Sequence, residues 1–419
     1  MKERVILHVD INNFYASAAL LYNPDLKDKY LVICGNPEKR HGVVLAKNEK
    51  AKKAGIKTGD TLIEAKRKAK NLYALPPDFQ KYSYLSKKAI ALYKQYTSKV
   101  ESFGLDECWL DVTDSVKLFG CGDKIADEIR NRMKSEIGLT VSVGVSFTKV
   151  FAKLGSDMKK PDAVTVIDKS NFKDKVWGLP IGELLYVGKS SVKKLESMGL
   201  FTIGDVAAAP RELLGITFGK NGFRLHEMAN GIDDEEVSEA NKTSLPESIS
   251  NGSTTEKDIT NKNEAESLMY SLSEVVAFRL RKYGLSALGI SVGIRDNKLC
   301  YLSRQMKLIN PTDDAKEIAD YAMSLLEKHY AFGVDNPLRM ITVGTYNLVE
   351  GEYGFQTTLF DEYNEKNDSL NDKLDGLRVK YGYGVLKRAI EINPDFTCDT
   401  HEIEDGYVPF DRHNGDDDK

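Results

Sequence analysis

The sequence predicts an α+β protein of several domains, and three observations carry that reading. Strand-like and helix-like spacings alternate in β-α-β order over residues 1–168, fitting a domain of ferredoxin-like type, and recur as β-α-β-β-α-β over 248–348. Between them, residues 170–232 show only helical spacing broken by short glycine-containing turns. A chain of 419 residues suits roughly three such domains.

Each element has a local reason. Val5-Ile6-Leu7-His8-Val9 is an apolar strand ended by Asp10, and Asn12-Asn13 then turns into a helix beginning near Phe14 and Tyr15. Short strands follow at 30–34 and 42–46, and helices at 48–54 and 61–71 joined through Gly55 and Gly59. Apolar residues recur at helical spacing over 84–97; a hairpin at 100–113, a helix at 121–137 and a strand at 140–144 come next. The helix 149–158 stops at Lys160-Pro161. Residues 181–198 read as helix, tight turn, helix, a shape that offers backbone N–H groups to a phosphate or is a plain αα-hairpin. The acidic stretch 233–247 lacks periodicity and reads as a linker. The second set places strands at 248–254, 286–295, 299–308 and 338–348 and helices at 263–283 and 312–330. Residues 351–419 are polar and acidic, with one helical stretch at 366–390, and are expected to lie partly unstructured.

Chemistry enters at residues 103–111, Phe-Gly-Leu-Asp-Glu-Cys-Trp-Leu-Asp, where Asp106 and Glu107 interrupt an apolar strand. Adjacent carboxylates are costly to bury unless a cation neutralises them. If this strand neighbours the one ending in Asp10, three carboxylates converge into a hard oxygen site suited to Mg²⁺. Two such ions suit in-line phosphoryl transfer. A β-turn with solvated acids accounts for the same spacing. The formal charge of −4 is uneven: residues 351–419 hold 17 acidic against 8 basic residues, leaving +5 for residues 1–350. Basic clusters at 47–53, 66–68 and 159–160 permit a nucleic-acid partner without demanding one. No apolar run approaches the ~18–20 residues of a membrane span, and no signal-peptide pattern precedes the first strand. Cys34, Cys108, Cys121, Cys300 and Cys398 lack CxxC spacing, which argues against zinc and against a disulfide framework. The expectation is a cytoplasmic protein with no membrane partner.

Asp10-Ile-Asn-Asn-Phe-Tyr-Ala16, Leu105-Asp-Glu-Cys108 and Thr148-Lys-Val-Phe-Ala-Lys153 followed by Asp157-Met-Lys-Lys160-Pro161 resemble, in order and spacing, the signatures of Y-family translesion DNA polymerases of ImpB/MucB/SamB type. The resemblance covers roughly residues 1–350. It implies a right-hand polymerase: palm 1–12 and 79–168, short fingers 13–78, a helical thumb with helix-hairpin-helix at 169–232, linker 233–247, little finger 248–350 and acidic tail 351–419. It implies low-fidelity transfer of a dNMP from a dNTP to a primer 3′-hydroxyl, within the SOS response to DNA damage, with two Mg²⁺ ions. Asp10 and Asp106 would ligate the metals and Glu107 the catalytic one, with the Ile11 carbonyl completing the nucleotide-metal shell. Lys52 and Lys160 would contact the triphosphate, Tyr15 would be the steric gate against ribonucleotides with Phe14 beside it, and Gly188 and Lys189 would meet DNA from the thumb. Implied partners are primer-template DNA, dNTP and recombinase or accessory SOS proteins.

Four positions depart from the signatures. Gly104 stands where many members have Ser. Glu49 replaces a triphosphate-binding Tyr and is expected to point away from phosphate. Tyr186 replaces the first Gly of the thumb hairpin. Val43 and Leu45 make a tighter roof over the template base. Gln356-Thr-Thr-Leu-Phe360 is similar to the peptide by which bacterial polymerases dock on the β sliding clamp, with Leu359 and Phe360 filling an apolar pocket, Gln356 fixing register, and Thr357 in place of the usual Leu. The pattern at 380–389 looks like the Gram-positive branch related to DNA polymerase V. Two other readings fit less well. A nucleotide cyclase-like palm enzyme has no use for the thumb hairpin, Tyr15 or the clamp peptide. A catalytically silent DNA- or clamp-binding regulator has no use for three concentrated carboxylates.

Overall fold

β1 (Ile6–Ile11) is buried along its whole length, which sets the architecture around it. A computed structural model describes residues 3–36, 42–240, 245–350 and 365–398, the last range without 383–384, 387 and 393. It forms two units, built chiefly on residues 3–240 and 245–398.

After β1 the first unit runs α1 (Phe14–Tyr22), β2 (Tyr30–Cys34), β3 (Val44–Lys47), α2 (Glu49–Lys53), α3 (Leu62–Lys68), β4 (Leu72–Leu75), α4 (Phe79–Tyr93), β5 (Val100–Ser102) and β6 (Glu107–Asp111). It continues through α5 (Val116–Phe119), α6 (Gly122–Arg132), β7 (Val141–Ser146), α7 (Lys149–Met158) and β8 (Val164–Ile167). The helices α8 (Phe172–Val176), α9 (Lys189–Ser197), α10 (Ile203–Ala208), α11 (Arg211–Phe218) and α12 (Lys220–Ala229) follow.

The main sheet has the order β5-β6-β1-β7-β8, with β1 antiparallel to both neighbours. Strand period assigns its faces. Leu7, Val9 and Ile11 pair with Val145, Val143 and Val141, and these residues share a core with Leu85 and Leu92 of α4 and Ile125 and Ile129 of α6. Ile6, His8 and Asp10 face the opposite way, toward α7. That helix lies directly on the sheet because Gly144 has no side chain: a Cβ there would sit 1.9 Å from the Ala152 carbonyl oxygen. A second sheet, β3-β2-β4, packs Val32 and Val44 against Ala51 and Ala65 of α2 and α3. Asn48 caps α2, and a Thr61–Glu64 capping box starts α3.

The stretch read as a linker is, over 233–240, part of the first unit. Val237 is 3% exposed and packs with Ile6, Trp109 and Ala152. Glu235 accepts from Lys149 Nζ at 2.9 Å and from Arg224 at 2.6 Å, and the Ser238 N–H donates to Glu101 at 2.9 Å. Anchorage by single residues leaves no periodicity for sequence reading to find.

The second unit has the expected order: β9 (Ser248–Ile259), α13 (Lys262–Lys282), β10 (Leu285–Asp296), β11 (Tyr301–Thr312), α14 (Ala315–Glu327) and β12 (Leu338–Glu350). Its antiparallel sheet, β11-β10-β12-β9, buries Ile290, Val292, Ile341 and Val343 against Leu268, Leu272 and Ile318. The helical stretch expected at 366–390 within the acidic tail is found over 365–381, and beyond it Phe396 and Cys398 are buried. There α15 (Glu365–Tyr381) sets Asp375 against Arg281 in a bidentate pair at 2.6 and 3.0 Å. Glu274, only 4% exposed on α13, meets Arg378 at 3.0 Å and also Arg388, while Phe396 and Cys398 join the core. The segment's charges find complements on α13, so its polar composition does not mean disorder. Glu274→Ala strips Arg378 of a buried partner and should cost about 3 kcal/mol, read as a lower urea midpoint with unchanged slope. Gln356, Leu359 and Phe360 lie outside the described residues. No helix among the described residues is long and apolar enough to cross a membrane.

Candidate active site

Register brings the acids together. Asp10 pairs with Glu107 across β1 and β6, and Asp106, the residue before β6, accepts the Ile11 N–H through its carbonyl at 2.9 Å. Two lysines stand among them. Lys160 Nζ lies 2.6 Å from Asp10 Oδ2; Lys153 Nζ lies 2.9 Å from Glu107 Oε2 and 3.6 Å from Asp10 Oδ2. Asp157 bridges both lysines, at 3.1 and 2.9 Å. Among the described residues, no three acidic, His or Cys side chains are already gathered as a metal cage.

The donor chemistry nevertheless fits a hard dication. Asp10, Asp106, Glu107 and Asp157 oppose only Lys153 and Lys160, so the cluster is two charges short of neutral when its acids are ionised. Burial, and then repulsion from Glu107 and Asp10, pushes the Asp106 carboxyl up to about 6. Burial also lifts Asp10 to about 6 against the pull of Lys160. For Glu107 burial alone would raise the carboxyl, but His8 and Lys153 overcome it and bring it down to about 2. Burial holds His8 below its ordinary value.

These shifts fix a pH dependence. Asp10 and Asp106 bind protons more tightly folded than unfolded, so their contribution to stability is full below about pH 4 and is lost as pH rises through about 6. Glu107 works in the opposite sense, but only as pH falls from about 4.5 through 2. In EDTA, the thermal midpoint of the protein relative to its Asp106→Asn variant should therefore fall between about pH 4 and 6. Saturating Mg²⁺ should remove that fall. A difference flat across the range would overturn the assignment.

Tyr15 is the second residue of α1, whose N-cap Asn13 has a left-handed φ of 49° that Asn tolerates well. Its ring stacks on Tyr82 at 4.2 Å and meets the edge of Phe79 at 5.9 Å. Phe14 is 3% exposed and belongs to the core, its ring 5.6 Å from that of Tyr15 and 5.8 Å from that of Tyr82. Lys52 is half exposed on α2.

Residues 9–157 match the model of the impB/mucB/samB family, and residues 246–359 match the model of its C-terminal domain. This chain belongs to the impB/mucB/samB family. It is 47% identical over 391 residues to a DNA polymerase IV of Acetivibrio thermocellus, covering 93% of this chain and 97% of the relative. It is 32% identical over 413 residues to DNA polymerase IV 1 of Halalkalibacterium halodurans, covering 98% of each. A solved Y-family DNA polymerase chimera of Dbh and Dpo4 superposes with a TM-score of 0.72 at 23% identity, covering 83% of this chain and all of that one. The fold is thus the right-hand polymerase fold of the Y family, with a separate C-terminal βαββαβ domain. Bacillus and Clostridium relatives fit a Gram-positive branch, and their printed name is DNA polymerase IV.

The departures from the family signatures now have local explanations. Gly104 has φ 136°, a backbone that serine would adopt only under strain, so the bend before Asp106 requires glycine here. Glu49 accepts from Asn13 Nδ2 at 2.7 Å and lies 3.8 Å from Lys52 Nζ. Tyr186 holds φ 68°, the left-handed conformation of the glycine it replaces, with Arg224 over its ring at 5.4 Å. Gly188 is the N-cap of α9 and Lys189 its first residue, with no side-chain cap on the helix. Val43 and Leu45 are 40% and 38% exposed on either side of buried Val44.

Sequence reading missed Tyr82 and Phe79, although their i, i+3 spacing is visible. It also gave no role to Lys153, Ser156 or His8. For His8 the signal was its position two residues before Asp10, which puts both on one face of a strand.

Proposed function

We propose that this protein is a low-fidelity DNA-directed DNA polymerase for translesion synthesis, acting in the cytoplasm on primer-template DNA with dNTP. The carrying observation is the β1–β6 register that sets Asp10 opposite Glu107 with Asp106 beside them. Asp10, Asp106 and the Ile11 carbonyl would hold Mg²⁺, with Glu107 completing the catalytic position of a pair. Such ions, when bound, lower the pKa of a primer 3′-hydroxyl and neutralise the triphosphate. Lys52 and Lys160 supply point charges for the phosphates. The similarity to DNA polymerases IV supports the polymerase reading.

Residues 1–12 and 79–168 serve as palm, 13–78 as fingers, 169–232 as thumb and 248–350 as little finger. Gly188 and Lys189 meet the DNA backbone. Gln356, Leu359 and Phe360 dock on the β clamp, which raises the local concentration of primer ends for a chain of nearly neutral charge. Recombinase or accessory SOS proteins complete the partner set. Tyr15, braced by Tyr82, stacks under the deoxyribose. Tyr15→Ala should raise the ribonucleotide-to-deoxyribonucleotide ratio of kcat/KM on the order of 100-fold, and an unchanged ratio would remove the gate from Tyr15.

The test is primer extension on undamaged and abasic templates, with Mg²⁺ and four dNTPs, with and without β clamp. Extension that Asp106→Ala/Glu107→Ala abolishes establishes the reading. No extension by the wild-type chain under any of these conditions overturns it.

A further inference from the structure

Behind the carboxylates lies a polar pair that the roles above leave unused. His8 is entirely buried, its ring edge-on to Trp109 at 5.2 Å. Nδ1 lies 2.8 Å from Ser156 Oγ on α7, and Nε2 lies 3.3 Å from Glu107 Oε2 with no other partner. Ser156 reaches the ring because His8 sits opposite Gly144 on β7, where α7 comes down onto bare backbone.

Ser156 has one hydroxyl proton and two acceptors for it: His8 Nδ1, and the Lys153 carbonyl oxygen at 2.7 Å. Given to the Lys153 carbonyl, it leaves Nδ1 to donate to Oγ and turns the Nε2 lone pair toward the Glu107 carboxylate, which is repulsive. Given to Nδ1, it puts the ring proton on Nε2, where it can donate to Oε2. The nearby carboxylate favours the second arrangement. Lys153 Nζ approaches the same oxygen at 2.9 Å. The close approaches of both the His8 ring and the Lys153 ammonium are thus to Oε2.

We propose that His8, its Nδ1 held by Ser156, is a positioning residue that holds Glu107 by Oε2 and so presents Oε1 to a divalent cation. The inference rests on the polymerase reading of this site. Partners one step behind a ligand commonly change metal affinity or activity 10–100-fold. The distance of 3.3 Å suits a contact that tightens when the site is loaded.

The experiment compares His8→Phe, His8→Gln, Ser156→Ala and His8→Gln/Ser156→Ala in the full-length protein bound to primer-template DNA. It measures single-turnover extension, the KM for dNTP, and Mn²⁺ binding by electron paramagnetic resonance. His8→Phe should slow extension and weaken Mn²⁺ binding by about 10–100-fold each, with the KM for dNTP within about twofold. His8→Gln, whose amide N–H can reach Glu107, should recover most of both. Ser156→Ala should weaken Mn²⁺ binding several-fold in the wild-type background and not at all beside His8→Gln, where no tautomer remains to be chosen.

Equal impairment of His8→Phe and His8→Gln would reduce His8 to packing and overturn the proposal. So would Mn²⁺ binding that no variant changes. Should His8→Phe fail to fold, the Ser156→Ala measurement in the two backgrounds decides alone. Wild-type protein that binds Mn²⁺ but extends no primer would instead count against the polymerase reading.

Discussion

Asp106→Asn should lower primer extension by at least about 1000-fold, because losing one ligand charge forfeits several kcal/mol of electrostatic stabilisation of the reacting phosphate. The same substitution should make the metal-free protein more stable by about 3 kcal/mol at neutral pH, the cost of ionising a carboxyl pushed up to about 6. Among the described residues Asp106 has no cation within ion-pair distance, unlike Asp10 and Glu107, so its charge is the least compensated of the three. Single-turnover extension measures the first effect and thermal unfolding in EDTA the second. Loss of both activity and stability would mean that Asp106 holds the fold and is not a charge kept for function.

Gly144→Ala should abolish the folded first unit or lower its unfolding free energy by more than about 4 kcal/mol. The added Cβ would lie 1.9 Å from the Ala152 carbonyl oxygen and 2.6 Å from the Ser156 nitrogen. Both are backbone atoms of α7, so no side-chain rotation relieves the clash and the helix must lift from the sheet. Lys153, Ser156 and Asp157 would leave the site with it. Gly188→Ala is the control: nothing lies within 4 Å of its added Cβ and its φ of −78° is ordinary, so the change should stay within about 0.5 kcal/mol. Chemical denaturation of the two variants separates the cases. Wild-type stability in the Gly144→Ala variant would show that α7 is not seated as described.

The acidic site was legible because charges inside an apolar strand are anomalous, and two such strands set side by side bring Asp10, Asp106 and Glu107 together. β2 and α7 were legible end to end, since a short continuous apolar run and a Thr148 cap mark their limits. What escaped has different physics. β4 and β8 are four-residue strands with little buried alternation, so no pattern announced them. Lys153 and Asp157 look like an ordinary i, i+4 surface pair, and only the seating of α7 on Gly144 turns Lys153 toward Glu107. The Glu235 and Glu274 anchors depend on buried cations distant in sequence, Lys149 and Arg378. Glu49 was expected to point away from phosphate on repulsion alone; Asn13, just before α1, gives its carboxylate a donor that the sequence did not single out.

Phe396 and Cys398 belong to the core of the second unit, and that has a consequence for the order of events during synthesis. The first unit has its sheet, helices and the 233–240 segment in hand once residue 240 has left the ribosome. The second has all six of its expected elements by Glu350, yet its hydrophobic interior stays open until 48 further residues arrive. At bacterial elongation rates that delay is roughly 2–10 s. Throughout it, Glu274 and the Ser271 side of α13 face solvent without their closing segment. A nascent chain stalled between Glu350 and Cys398 would therefore expose a binding surface for chaperones that the finished protein no longer has.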